Sequence, residues 1–224
     1  MKQLNDYLHT YFPGVDLKPS LYNQWSIGLH FELGGDLYQF MEDSDDLNMG
    51  MFEYAYSQAE SIFQDLFSKE DEVLLVTNTY QHKQHRGSHR IKVYHRNLKN
   101  KDLKYRIRRE TLPFVFDEDE DADDYYTSRY SLKCQTKDFN ARRLIQAACH
   151  EDFPLKPKFD EDYAYYPDVF FVNKTKNIIF FIYDDRGCEV IASDLETIRP
   201  LYEKYGEWIS AYNQGEIDER FTLR

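Results

Sequence analysis

Between Val169 and Ala192 three apolar runs follow one another with only short turns between them. Val169-Phe-Phe-Val172 and Ile178-Ile-Phe-Phe-Ile-Tyr183 are joined by Asn-Lys-Thr-Lys-Asn, and Asp184-Asp185-Arg186-Gly187 leads into Cys188–Ala192. Short runs rich in β-branched and aromatic residues, bounded by turn residues, read as strands. Strands joined by so few residues pair antiparallel, because a parallel crossover needs a dozen residues or more. Gly187 is expected to supply the positive φ of the second hairpin loop. Any fold of this chain must build around that meander.

The remaining elements follow from periodicity. Leu4, Tyr7, Leu8, Tyr11 and Phe12 mark an amphipathic helix stopped by Pro13-Gly14. Trp25, Ile27, Leu29, Phe31 and Leu33 alternate with Ser26, Gly28, His30 and Glu32, a half-buried strand closed by Gly34-Gly35. Residues 36–49 are acidic and read as a loop. Phe52, Ala55, Tyr56, Ala59, Ile62, Phe63 and Leu66 are spaced as a helix over 51–67, and Val73–Val76 reads as a central strand. Ile91, Val93 and His95, then Leu103, Tyr105 and Ile107, alternate with basic residues and predict two strands, each with a basic face. Tyr125–Cys134 predicts another strand, and Phe139–Cys149 a helix capped by Asp138. Ser193 with Glu196 has the capping-box spacing. Leu195, Ile198, Leu201, Tyr202, Tyr205, Trp208, Ile209 and Tyr212 follow as a helical stripe, in which Pro200 starts a second segment or kinks the first. Trp208 is expected in the core.

The expected architecture is α+β: a mainly antiparallel sheet with the 51–67 and 194–213 helices packed on one face. At 224 residues and 27.0 kDa, a single domain over 1–224 can bury a sizeable core without staples. Three widely spaced cysteines, Cys134, Cys149 and Cys188, form no C-x-x-C and are expected as buried thiols. No apolar run approaches membrane-spanning length. The MKQLNDYLHTYFPG start has no apolar signal region, so a cytoplasmic protein is expected.

The net charge of -12 hides a division. Residues 81–109 hold eleven Lys and Arg against one acid, Asp102; the rest of the chain holds 17 bases and 39 acids. Seven of the eight positions 117–124 are then acids, Ala122 being the exception. Such runs are solvated loops or interaction surfaces, and a basic ribbon beside an acidic loop can neutralise itself.

Few residue sets carry recognisable chemistry. GxGxxG, GxxxxGK[ST], G-x-S-x-G and H-E-x-x-H are absent from the sequence. His82, His85 and His89 share a face if helical, but Gly87-Ser88 breaks a helix there, and Lys83, Arg86 and Arg90 repel a cation. No metal and no cofactor are therefore expected. Cys149 and His150 are adjacent, and adjacency does not make a nucleophile and its base converge. Asp184, Asp185 and Arg186 place two carboxylates and a guanidinium on one turn, a candidate binding site or the centre of an enzyme of unfamiliar type. Arg106 and Arg108, with Lys92, Arg96, Lys104 and Tyr94, form the candidate face for nucleic acid, opposed by the acidity of the rest of the chain.

Several segments taken together carry a resemblance. They are Trp25-x-Ile-Gly-Leu-x-Phe-Glu-Leu-Gly34, Asn100-Lys-Asp-Leu103, Arg129-Tyr-Ser-Leu-Lys-Cys134, Asp152-Phe-Pro-Leu-Lys-Pro157, Tyr183-Asp-Asp-Arg-Gly-Cys188 and Arg199-Pro-Leu-Tyr-Glu-Lys-Tyr205. The set resembles a bacterial family known only as a domain of unknown function, found largely in Gram-positive species. That resemblance implies one compact domain and brings no activity or site residue. Acidity, abundant aromatics and missing catalytic motifs lead to the expectation of a protein-binding module. A small protein that neutralises a basic partner, as toxin-immunity proteins do, fits that description.

If His82, His85 and His89 are loop residues only, the purified protein carries no stoichiometric zinc after dialysis. About one zinc per chain by elemental analysis, lost on replacing these histidines, would show a metal site instead.

Overall fold

The three C-terminal runs become strands in a computed structural model that describes residues 2–84, 92–159 and 165–222. The strands are β1 (Gly28–Glu32), β2 (Glu72–His82), β3 (Arg108–Leu112), β4 (Tyr125–Gln135), β5 (Asp168–Asn173), β6 (Ile178–Asp184) and β7 (Gly187–Ala192). They form one sheet in the order β1-β7-β6-β5-β2-β4-β3, every pair antiparallel. The helices are α1 (Lys2–Tyr11), α2 (Leu21–Gln24), α3 (Met49–Leu66), α4 (Lys92–Asn97), α5 (Ala141–Cys149), α6 (Leu195–Tyr205) and α7 (Ala211–Thr222).

Strand parity sorts the side chains onto two faces. Leu75, Phe171, Phe180 and Val190 face one core with Phe63 of α3, Ile145 of α5 and Ile198 of α6. Leu74, Val76, Phe170, Val172, Ile179, Phe181 and Ile191 face a second core, closed by Leu4, Tyr7 and Leu8 of α1 and by Phe12. Both faces being covered explains why β5 and β6 are apolar without alternation. The two expected helices do share a face; α5 joins them, and α1 takes the opposite one.

The structure differs from the sequence-based expectation in several places. Residues 92–97 are helical, and Lys101–Arg106 is a 3₁₀ helix, where two strands were expected. Val93, Tyr94 and Asn97 are the buried residues, a helical spacing. The Tyr94 hydroxyl lies under the sheet, 2.9 Å from the Leu75 carbonyl and 3.1 Å from that of Tyr130. Asn140, not Asp138, caps α5, its side chain accepting from Arg143 N at 3.2 Å. Asp138 instead accepts from Gln135 N at 2.8 Å. At α6 the N-cap is Asp194, without a side-chain capping bond. Pro200 sits inside α6, and the helical stripe ends at Tyr205, because Ile209 forms a backbone bridge to Phe31 at the sheet edge. Trp208 is therefore half-buried, stacked on Tyr205 at 4.4 Å, and Tyr212 is exposed. The three cysteines are free and buried. No helix among the described residues is long and apolar enough to cross a membrane.

A sheet covered on both faces makes neighbouring strand residues equally costly to truncate. Phe180→Ala and Phe181→Ala should each destabilise by about 3–5 kcal/mol, read by urea unfolding. A cost under about 1 kcal/mol for Phe181→Ala alone would show that α1 does not close the second core.

Candidate functional site

α1 covers only part of the second face, and beyond its reach the inward-facing residues turn polar. His30 on β1 pairs across the ladder with Glu189 on β7. Asp168 on β5 pairs with Asn78 on β2, and Asn78 with Arg129 on β4. These polar residues and Tyr183 of β6 form a belt across the sheet, at positions whose parity elsewhere selects Ile, Phe or Val.

The belt grips the segment that links α1 to β1. Arg129 Nε donates to Asn78 Oδ1 at 3.0 Å, and its Nη2 donates to the Leu17 carbonyl at 2.8 Å. Asn78 Nδ2 donates to the same carbonyl at 2.7 Å. Glu189 Oε2 accepts from Leu21 N at 2.7 Å, at the start of α2. Held at both ends, Pro19, Ser20 and Tyr22 become one wall of a cleft of about 600 Å³. Its floor carries His30, Asp168, Tyr183, Asp184, Arg186 and Glu189; Asn23 of α2, Tyr212 and Asn213 of α7, Glu151, Phe116, Tyr165 and Tyr166 complete the lining.

His30 is held at both nitrogens. Asn213 Nδ2 lies 2.8 Å from its Nδ1 and the Tyr183 hydroxyl 2.9 Å from its Nε2. With the Asn213 amide donating, Nε2–H is the imidazole donor toward Tyr183. Burial lowers the pKa of His30, so the ring stays neutral. The carboxyls shift the other way. Burial pushes Asp168 up to about 7, against the opposing effects of the Tyr80 hydroxyl bonded to it and of nearby Arg129. Burial likewise pushes Glu189 up to about 7. Glu151 is raised to about 8, mainly by burial and further by Asp168, Asp152 and Asp184.

The expected site turn is divided by the fold. Asp184 lines the cleft, and its carboxylate accepts from Arg186 N at 2.7 Å and Arg186 Nε at 2.8 Å, so acid and base neutralise each other. Asp185 is buried elsewhere and accepts from Gln39 Nε2 at 2.9 Å. Gly187 does not have the positive φ expected of it. What it needs is room: a Cβ there would sit 2.0 Å from the Tyr183 hydroxyl and 2.7 Å from the Phe31 carbonyl. Arg106 and Arg108 lie exposed in a separate groove with Gln3, Glu72 and Lys133. Both ring nitrogens of His150 are engaged, by the Pro157 carbonyl at 2.7 Å and by the Tyr56 hydroxyl, while burial pushes the Cys149 thiol up. His82 packs on Tyr125, with ring centroids 5.1 Å apart; His85 and His89 lie outside the described residues. Among the described residues no three His, Cys, Asp or Glu side chains converge as metal ligands.

The sequence reading missed His30, Glu151, Asp168, Tyr183 and Glu189. Their signal was parity: Glu189 interrupts Cys-x-Val-Ile-Ala, and Asp168 opens the Val-Phe-Phe-Val run on the face of Phe170 and Val172.

The cleft residues all fall inside the stretch matched by a known family. Residues 4–213 match the sequence profile described as "Domain of unknown function (DUF3885)". The chain belongs to this family. It is also similar to the "Uncharacterized protein YnaE" of Bacillus subtilis (strain 168), 47% identical over 207 residues, covering 92% of this chain and 96% of that protein. No solved structure gives a significant match. The family brings the fold no assigned chemistry, so the cleft must be read from its own groups.

Those groups make stability depend on pH with a definite sign. Asp168, Glu189 and Glu151 hold protons in the folded chain where ordinary unfolded carboxyls, with pKa values near 4, have lost them. Their contribution is full below about pH 4 and is lost as pH rises through about 7 to 8. His30 and His150, whose pKa values are lowered, act oppositely, and mainly below about pH 6.5. The melting temperature should therefore fall between about pH 6.5 and 8, and Glu151→Gln should flatten that fall. An unchanged slope in Glu151→Gln would show that Glu151 is ionised throughout.

Proposed function

We propose that the chain is a protein-binding module whose partner is basic, with the cleft as the centre of its binding surface. One observation carries this reading. Four carboxyls, Glu151, Asp168, Asp184 and Glu189, share one cleft with Tyr22, Tyr165, Tyr166, Tyr183 and Phe116. The acidic run reaches the same cleft, since the Tyr165 hydroxyl lies 3.0 Å from an Asp119 carboxylate oxygen and 3.3 Å from one of Asp121. Aromatic faces and carboxylates both favour a cation. An extended acidic surface also speeds and orients encounter with a basic protein. A toxin whose basic surface must be masked is the partner class that this charge pattern suits, which makes the module an immunity protein.

Capture from a lysate of the native host, with wild type beside a Glu151→Gln/Asp168→Asn double variant, tests the reading. Wild type should retain a basic protein, the double variant at least about tenfold less of it, and about 0.5 M salt should release it. Equal recovery by both forms, or no basic protein retained by wild type, would overturn the proposal.

A further inference from the structure

The cleft is more specific than its charge alone. Glu151 follows the end of α5, where its backbone N–H is held by the Ala148 carbonyl at 3.3 Å. Its carboxyl is half-buried and accepts no hydrogen bond from a described residue, although it faces the same space as Asp168. Asp168 in turn spends one oxygen on Tyr80. On the opposite wall Tyr22 is only 7% exposed, with the Arg220 guanidinium 5.5 Å from its ring centroid. The aromatic lining is packed ring on ring: Phe116 and Tyr165 stack with their centroids 5.8 Å apart and planes at 15°. Phe114 crosses Tyr165 at 5.0 Å, and Tyr80 crosses it at 6.1 Å.

Unmatched acceptors beside flat rings call for a ligand that is planar, cationic and rich in donors. A guanidinium meets all three needs. It stacks on rings, carries five N–H donors in a fixed fork and is weakly hydrated, whereas an ammonium is a strongly hydrated point charge. A volume near 600 Å³ exceeds what one ion needs and suits a side chain with its backbone attached. Burial favours the protonated form of Glu151, the Arg186 guanidinium in the same cleft opposes this but is hydrogen-bonded to Asp184, and a second guanidinium seated beside Glu151 would favour its ionised form.

We infer that the cleft is a receptor for one arginine side chain, seated between Glu151 and Asp168 against the Tyr165 ring. This rests on the binding-module reading above and narrows it to one anchor residue on the partner. N-acetyl-arginine amide is the probe, titrated by NMR or calorimetry into the intact chain, with N-acetyl-lysine amide and the uncharged N-acetyl-citrulline amide beside it. Wild type should bind the arginine amide saturably and at least about fivefold more tightly than the lysine amide, with no saturation by the citrulline amide. Glu151→Gln should weaken the arginine amide about tenfold with its NMR spectrum otherwise preserved. Asp168→Asn should do the same; if loss of the Tyr80 contact unfolds it, Glu151→Gln carries the test. Absence of saturable binding to wild type, equal affinity for the lysine amide, or affinity unaltered in Glu151→Gln would each overturn the inference. Any of these, with a basic protein still captured by wild type alone, would leave the binding module standing and remove only the arginine pocket. Tight binding of the amide with no basic protein captured would instead identify a receptor for a free guanidinium compound and overturn the partner assigned here.

Discussion

The second core depends on a helix too short for the sheet it covers. Ten residues of α1 extend about 15 Å, whereas the eleven residues of β2 alone run about 36 Å. Where α1 lies, the sheet below must be apolar, and Leu74, Val76, Phe170, Val172, Ile179 and Phe181 are. Where it does not reach, an apolar surface would face water, and an exposed patch of that size invites association. The polar belt from His30 to Arg129 occupies that end. The cleft thus lies where the cover of α1 stops along the strands, with the 17–22 segment bridging the gap.

That segment is fixed by charges placed where charges are expensive. Arg129 and Glu189 are buried polar anchors, tied to the Leu17 carbonyl and the Leu21 amide. Neither forms a conventional ion pair with the other; each meets backbone groups of one loop, which satisfies the loop's donors and acceptors without a second layer of secondary structure. The carboxyls that remain, Glu151 and Asp168, have fewer partners than their burial calls for. A fold selected only for stability would have replaced or paired them. Local rules broken without structural compensation mark functional positions in natural proteins, and here the departures cluster in one cleft.

Much of the architecture was legible because apolar periodicity is strong where both faces are covered. The meander from Val169 to Ala192, the helix over 51–67 and the amphipathic start at Leu4 each follow from spacing alone. What failed did so for tertiary reasons. Residues 91–96 alternate like a strand, yet Tyr94 has to lie beneath the sheet, with its hydroxyl between two strand carbonyls, and only a helical turn puts Val93, Tyr94 and Asn97 on one side. The C-terminal stripe runs unbroken in sequence as far as Tyr212, but Ile209 is drawn to the β1 edge and ends it. Gly187 reads as a turn glycine, although its constraint is the Tyr183 hydroxyl pressed against it from across the hairpin. Spacing along a chain records periodicity; it does not record what another strand brings near.

The charge division takes on a different meaning once folded. The basic stretch does not act as one ribbon: Tyr94 and Val93 are buried, Arg106 and Arg108 sit in a groove beside α1, and Lys83 donates to the Asp123 carbonyl of the acidic run. That contact places one lysine of the basic stretch at one end of the run. Further along, Asp119 and Asp121 hold the Tyr165 hydroxyl instead, and through Tyr165 the exposed acids adjoin the buried ones. Exposed carboxylates act over roughly a Debye length, about 8 Å in physiological salt, and set how fast a basic partner arrives. Buried carboxyls act only on a cation that gives up its water, and set how long it stays. One tyrosine joins the two populations: the Tyr165 hydroxyl meets Asp119 and Asp121 of the acidic run, and the same residue lines the cleft that holds Glu151 and Asp168.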